Sequence, residues 1–233
     1  MRHGAWATRV TTLAAAGLLL AGCGGVAAGR EQQEAVNEPV DGAVTRVEVD
    51  SDAGALRLVA GEKASVEQDL RWTGEARPQV EQKVDGGVLR VTVRCPDQGG
   101  DRCQAGLVVT APAASSALAD VRAGGIEVQG LTGALDLTSS AGEVSATGAG
   151  PGDVRARSSA GAVELTFAAA AADVTAESSA GGVEIRVPVG PAYEVTAETS
   201  AGSTEVGVPD QPGADHRITA KSSAGGVSVL PAR

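Results

Sequence analysis

One short phrase returns five times in the second half of the chain, and it constrains the fold more than any other feature. Ala-Gly preceded by serine occurs at Ala141-Gly142, Ala160-Gly161, Ala180-Gly181, Ala201-Gly202 and Ala224-Gly225, at intervals of 19, 20, 21 and 23 residues. Each copy lies in the same frame. DVTAESSAGGVEI (Asp173–Ile185) is the clearest, and DVRARSSAGAVEL, EVTAETSAGSTEV and RITAKSSAGGVSV follow it closely. ALDLTSSAGEVSA is a looser copy, RVEVDSDAGALRL (Arg46–Leu58) an outlying one, and DVRAGGIEV (Asp120–Val128) a shortened one. A unit this short cannot shield its own apolar side, so the copies must lie on one another.

Within each unit the apolar residues alternate with period two, which makes two strands and not a helix. The first strand places Val154-Ala156-Ser158, Val174-Ala176-Ser178, Val195-Ala197-Thr199 and Ile218-Ala220-Ser222 on one face. The second places Val163-Leu165-Phe167, Val183-Ile185-Val187 and Val227-Val229. Ser-Ala-Gly turns the chain between them, with glycine free to take positive φ. Composition agrees: 32 glycines exceed what a helical domain carries, and aromatics are only 2%, so the core is aliphatic.

The two ends of the unit behave differently. The Ser-Ser-Ala-Gly corner is nearly constant in length, whereas the other corner varies: ATGAGPG, AAAAA, PVGPA and PDQPGAD. Stacked rungs fix one corner and tolerate insertion at another, so the expected fold is an all-β, β-helix-like solenoid of two-strand units of about 20 residues. Alanine at the middle inward position suits a narrow interior. A sandwich of antiparallel hairpins satisfies the same pattern, since Ser-Ala-Gly also fits a hairpin turn. Residues 41–117 are less regular, with alternating segments at Val44–Val49, Val88–Val93 and Leu107–Thr110. They are expected to form an N-terminal β region that caps the first rung of the repeats at 118–233 and hides its edge. Pro231 is expected to blunt the other end.

The N-terminus has the zones of an export signal over residues 1–22. Arg2, His3 and Arg9 form a basic start, and Val10–Leu20 is apolar but too short to span a bilayer stably. Leu20-Ala21-Gly22-Cys23 closes it. This run resembles the bacterial lipobox, which implies acylation of Cys23, palmitate-type chains anchoring the chain in the membrane, and an extracytoplasmic location on the outer face of the cell membrane. Residues 23–40 lack periodicity and read as a flexible tether. With Cys23 assigned to lipid, Cys95 and Cys103 remain, and an oxidising exterior lets them close the loop 96–102 as a disulfide. Two cysteines with one mature histidine make poor metal-ligand arithmetic.

Charge narrows the partners. Removing Arg2 and Arg9 with the signal leaves 17 basic residues of 19 against 29 acidic ones, a net of −12. Nucleic acid and anionic headgroups are poor partners for such a surface. The repeated S-x-A/S-G-x-V/I frame, following the strand-like LVVTAP at Leu107–Pro112, resembles the bacterial putative-adhesin β-solenoid domains of unknown function. That resemblance covers residues 41–233 and implies the fold; it carries no catalytic residues to transfer.

No reaction centre emerges from the residues. His216, beside Asp215, is the only mature histidine, but no Gly-x-Ser-x-Gly elbow accompanies it, and it reads as an exposed loop residue. The serine pairs recur because the unit recurs and are expected to form a structural ladder. Glu164, Glu184 and Glu205 occupy one outward position in three successive units, about 4.8 Å apart if stacked, which makes them weak candidates for Ca²⁺. Asp97 and Asp101 read as turn residues. No cofactor is expected. The residues thus point to a non-catalytic surface for protein or envelope contact. A β-helical polysaccharide-acting enzyme and a ligand-binding envelope sensor are the alternatives. Sugar sites present aromatic platforms, and the mature chain has only Trp72, Phe167 and Tyr193. Oligomeric state does not follow from the sequence.

Overall fold

The computed structural model describes residues 30–96 and 102–232. In chain order the strands are β1 (Gln32–Pro39), β2 (Arg46–Ala53), β3 (Leu56–Ala60), β4 (Ser65–Trp72), β5 (Gln79–Asp85), β6 (Val88–Arg94) and β7 (Cys103–Ala111). The repeats follow as β8 (Ser116–Ala123), β9 (Ile126–Gln129), β10 (Leu135–Ala141), β11 (Val144–Ala149), β12 (Val154–Ala160) and β13 (Val163–Phe167). They continue as β14 (Asp173–Ala180), β15 (Val183–Val187), β16 (Tyr193–Thr199), β17 (Thr204–Val206), β18 (His216–Ala224) and β19 (Val227–Pro231). Among the described residues there is no helix.

The two strands of a unit do not pair with each other. One joins a ten-stranded sheet ordered β1-β4-β7-β3-β9-β11-β13-β15-β19-β17, the other a nine-stranded sheet ordered β16-β18-β14-β12-β10-β8-β2-β6-β5. Equivalent strands of adjacent units pair in parallel: Val154↔Val174 and Ala156↔Ala176 in one sheet, Val163↔Val183 and Leu165↔Ile185 in the other. Ser-Ala-Gly is therefore a corner between sheets, and the fold is a β-solenoid and not a hairpin stack. A largely aliphatic core fills the space between the sheets, with Leu137, Ala156, Ala176, Leu165 and Ile185 buried beside the aromatic Phe167.

The corners line up in one row. The Gly181 carbonyl stacks on the next corner at Gly225, while a Cβ at Gly181 would sit 2.3 Å from the Gly161 carbonyl oxygen. With φ at +154°, this position takes glycine for two reasons at once.

Stacking follows chain order only in the middle. The last unit, β18/β19, inserts between β14/β15 and β16/β17, and at the other end β6/β7 lies outside β2/β3. Residues 41–117 therefore supply two full units as well as a cap. Pro231 pairs in register with Val187 on one side, while on the other the short edge strand β17 stops opposite Val229, so proline leaves no N–H on that uncovered stretch. The chain covers part of the β16 edge with the following loop. Asp210 Oδ1 accepts the Val195 N–H at 3.0 Å, and the Gln211 N–H donates to the Tyr193 carbonyl at 2.7 Å.

The opposite end is closed by the antiparallel strands β1, β4 and β5. There Arg77 lies over the Trp72 ring at 5.6 Å and pairs with Glu34 at 2.8 Å. β1 corrects the expectation of a tether reaching residue 40. Its sequence, QQEAVNEP, has little apolar content of its own, and backbone pairing with β4 from Gln32↔Trp72 to Pro39↔Ser65 imposes the strand.

Candidate functional site

The most regular polar feature is the corner ladder. The first serine of each pair points inward and is buried, and its hydroxyl donates to a glycine carbonyl of the neighbouring unit. Ser139 bonds Gly124 at 2.9 Å, Ser158 bonds Gly142 at 2.8 Å, Ser178 bonds Gly161 at 2.8 Å and Ser222 bonds Gly181 at 2.9 Å. Thr199 does the same to Gly225 at 2.8 Å. A hydroxyl spent on a carbonyl is not an activated nucleophile, so these residues are scaffold. Ser51 breaks the ladder: its Oγ is buried with no partner among the described residues. Beyond Ser51 lies the β6/β7 unit, whose corner is closed by the Cys95–Cys103 disulfide in place of Ser-Ala-Gly. The second serines, Ser159, Ser179 and Ser223, are exposed and line a shallow groove of about 720 Å³ beside the Arg157–Glu177 and Lys221–Glu198 pairs.

The three glutamates do not form the expected column. Glu164 and Glu184 are register partners, but Glu184 faces Ser228, and Ser228 faces Glu205, because β19 inserts between β15 and β17. Arg186 binds Glu184 at 2.7 Å. Among the described residues no group of three acidic, histidine or cysteine side chains is placed to hold a metal. Glu164 is the perturbed member. Partial burial, with the Glu143 and Glu184 carboxylates nearby, raises its pKa above the usual 4.5, while Arg186 opposes the rise.

The outer face of the nine-stranded sheet is different, being laced with ion pairs. Arg90 binds Glu48 at 2.8 Å, Arg94 binds Asp50 at 2.6 Å, and Arg122 binds Asp52. Arg157–Glu177, Lys221–Glu198 and Arg217–Asp173 continue the pattern along the stack. A hydrogen bond from Arg94 holds the Asp50 carboxyl below its ordinary range, and one from Arg46 does the same to Glu48. Exposed pairs of this kind contribute about 0–1 kcal/mol each.

His216 is not in a loop. It opens β18, half-buried, with its Nδ1–H donating to the Ala171 carbonyl at 2.8 Å and its ring 5.8 Å from that of Tyr193. The nitrogen that a triad would give to a carboxylate is held by the backbone. Trp72, Phe167 and Tyr193 are all buried, so none is a platform for sugar stacking. Cys95 and Cys103 are joined across the loop they bracket. Cys23, Asp97 and Asp101 lie outside the described residues.

A stack of two-strand units whose recurring polar residues hold corners and edges defines a structural-repeat β-solenoid. The chain belongs to the Toastrack family, DUF4097, whose model matches residues 106–230, more than half of it. Among solved structures it is similar to a putative cell adhesion protein from Clostridium sporogenes, at 12% identity and a TM-score of 0.53, covering 86% of this chain and 100% of that one. It is also similar to a putative adhesin from Bacteroides fragilis, at 13% identity and a TM-score of 0.44, covering 86% of this chain and 97% of that one. The first likeness shows the fold. No curated protein matches this chain.

Proposed function

We propose that this chain is a lipid-anchored extracytoplasmic β-solenoid that serves as a non-catalytic surface for contact with another protein of the envelope. The observation that carries the reading is how the polar side chains are used. The ladder hydroxyls, His216 and the ion-paired arginines of one sheet face are engaged in holding the stack, and both sheets leave broad outer faces. The Clostridium sporogenes protein of the same fold is described as a putative cell adhesion protein, which accords with this use of a repeat scaffold. The lipobox-like Leu20-Ala21-Gly22-Cys23 supports anchoring of the N-terminus at the outer face of the cell membrane.

Two measurements test the reading. Metabolic labelling with palmitate marks the wild-type chain at the membrane, and Cys23→Ser abolishes both the label and membrane retention. Unlabelled wild-type chain in the soluble fraction refutes the anchor. Proximity crosslinking on intact cells then identifies what the domain touches. Recovery of glycans and no proteins refutes the contact role.

A further inference from the structure

The outer face of the ten-stranded sheet carries a groove of about 610 Å³ beside the N-terminal cap. Its floor is Gly106, Ala55 and Gly125, three successive crossings with nothing beyond a Cβ, and Val108 forms an apolar wall. Carboxylates stand around it. Glu67 is in register with Val108, and Val108 with Arg57, which pairs with Glu127 at 2.8 Å. Glu143 stands at the far end of the floor. Among the described residues neither Glu67 nor Glu143 has an ion-pair partner, although ten ion pairs run along the opposite sheet. The chain therefore carries the arginines to compensate one face and leaves this groove negative.

We infer that the groove receives a basic, extended polypeptide segment of a partner protein. Its lysine or arginine stems lie along the small-residue floor and Val108, and their cationic ends meet Glu67 and Glu143. The floor crosses three strands, about 10–15 Å, which is the span of roughly four extended residues. A floor without oxygen side chains gives a bare cation few ligands, which favours a segment with apolar stems over an ion. The inference rests on the contact role proposed above and specifies its face and its partner's chemistry.

The test is an anisotropy titration of the full chain, in neutral detergent, with a labelled Lys-Val-Lys-Val-Lys-Val peptide and its Glu-Val counterpart. Only the basic peptide binds saturably, weakening about fivefold between about 50 mM and about 200 mM salt. Glu67→Gln combined with Glu143→Gln weakens it about tenfold. Gly106→Val weakens it about fivefold by filling the floor; the added Cβ meets the Asp69 Cβ at 3.7 Å and the Asp69 carbonyl oxygen at 3.8 Å, both ordinary contacts, and an unchanged circular dichroism spectrum confirms that the variant is folded. Glu48→Gln on the other sheet changes nothing. Absent binding, equal binding of the acidic peptide, an equal loss in Glu48→Gln, or displacement by equimolar calcium overturns the inference. On intact cells, photo-reactive residues placed at Ser145 beside the groove and at Thr175 on the opposite sheet separate the two proposals. Protein adducts from Ser145 support both. Adducts from Thr175 alone overturn the groove and keep the contact role, and none from either overturns both.

Discussion

Gly181 and Gly182 are adjacent in the sequence, yet alanine at each has a different consequence. A Cβ on Gly181 falls 2.3 Å from the Gly161 carbonyl oxygen and 2.5 Å from its carbon, so the two corners must part by about 1 Å. Two bonds weaken as they part: Gly161 N–H to Ala180 at 3.0 Å and Ser178 Oγ to Gly161 at 2.8 Å. Each contributes about 1 kcal/mol net, and the backbone at φ +154° costs a non-glycine residue about 1–2 kcal/mol more. Gly181→Ala should therefore lose about 3–4 kcal/mol. At Gly182 the new Cβ meets the Gly226 oxygen at 3.4 Å, with φ outside the left-handed region. Ala162 already occupies the same place in the preceding copy. Gly182→Ala should stay within about 0.5 kcal/mol of wild type, helped by a less flexible unfolded chain. Urea unfolding followed by far-ultraviolet circular dichroism, with the disulfide intact, measures both. A loss below about 1 kcal/mol at Gly181, or an equal loss at Gly182, would refute the corner-stacking argument.

Three further outcomes follow from the packing and the charges. Leu137 is fully buried, so Leu137→Ala should cost about 2–5 kcal/mol in the same urea assay; adding Ala146→Leu on the second strand of that unit should recover a good part of it. The pairing is suggested by the next unit, where the two middle positions hold Ala156 and Leu165 in the opposite arrangement. Cys95→Ser with Cys103→Ser opens a loop of eight residues' separation and should lower stability by about 2.5 kcal/mol, read as a fall in melting temperature that reducing agent reproduces in the wild type. Glu164 has a raised pKa in the fold, so the folded state takes up its proton before the unfolded chain does. Its ionised form costs stability at neutral pH, and the cost is relieved as pH falls toward 4.5. Glu164→Gln should accordingly be more stable than wild type at pH 7, with the difference vanishing in acid; an unchanged pH profile of melting temperature would contradict this.

The corner, the strand pair and the inward faces were legible because they depend on local chemistry that each unit repeats. Val174-Ala176-Ser178 and Val183-Ile185-Val187 face the core as their alternation requires. β1 was not legible, because nothing in QQEAVNEP prefers a strand until β4 offers its edge. His216 was misplaced for a similar reason: the variable corner ends one residue earlier than Pro212, Gly213 and Asp215 suggest, and β18 begins with the histidine itself. The groove over Gly106, Ala55 and Gly125 was hidden because its floor residues lie far apart in the chain and share only a level in the stack.

The exchanged order at the C-terminal end had a signal in the sequence. In EVTAETSAGSTEV, Thr204 occupies the first inward position of the second strand, where the other close copies have Val163, Val183 and Val227. A unit with a polar residue there gains less from being covered on both sides, and in the fold Thr204 is exposed and Val206 is 43% exposed. RITAKSSAGGVSV, with Ile218-Ala220-Ser222 and Val227-Val229 all buried, gains more from two neighbours. Burial decides between them at about 25 cal/mol per Å² of apolar surface, so the better-shielded copy takes the interior and the poorer one becomes the end cap. The loop between them must then fold back over the stack, and that return path carries Asp210 to the Val195 N–H on the exposed edge. The exchange thus places the more polar unit outermost and gives the chain the segment that protects its edge from pairing with another sheet.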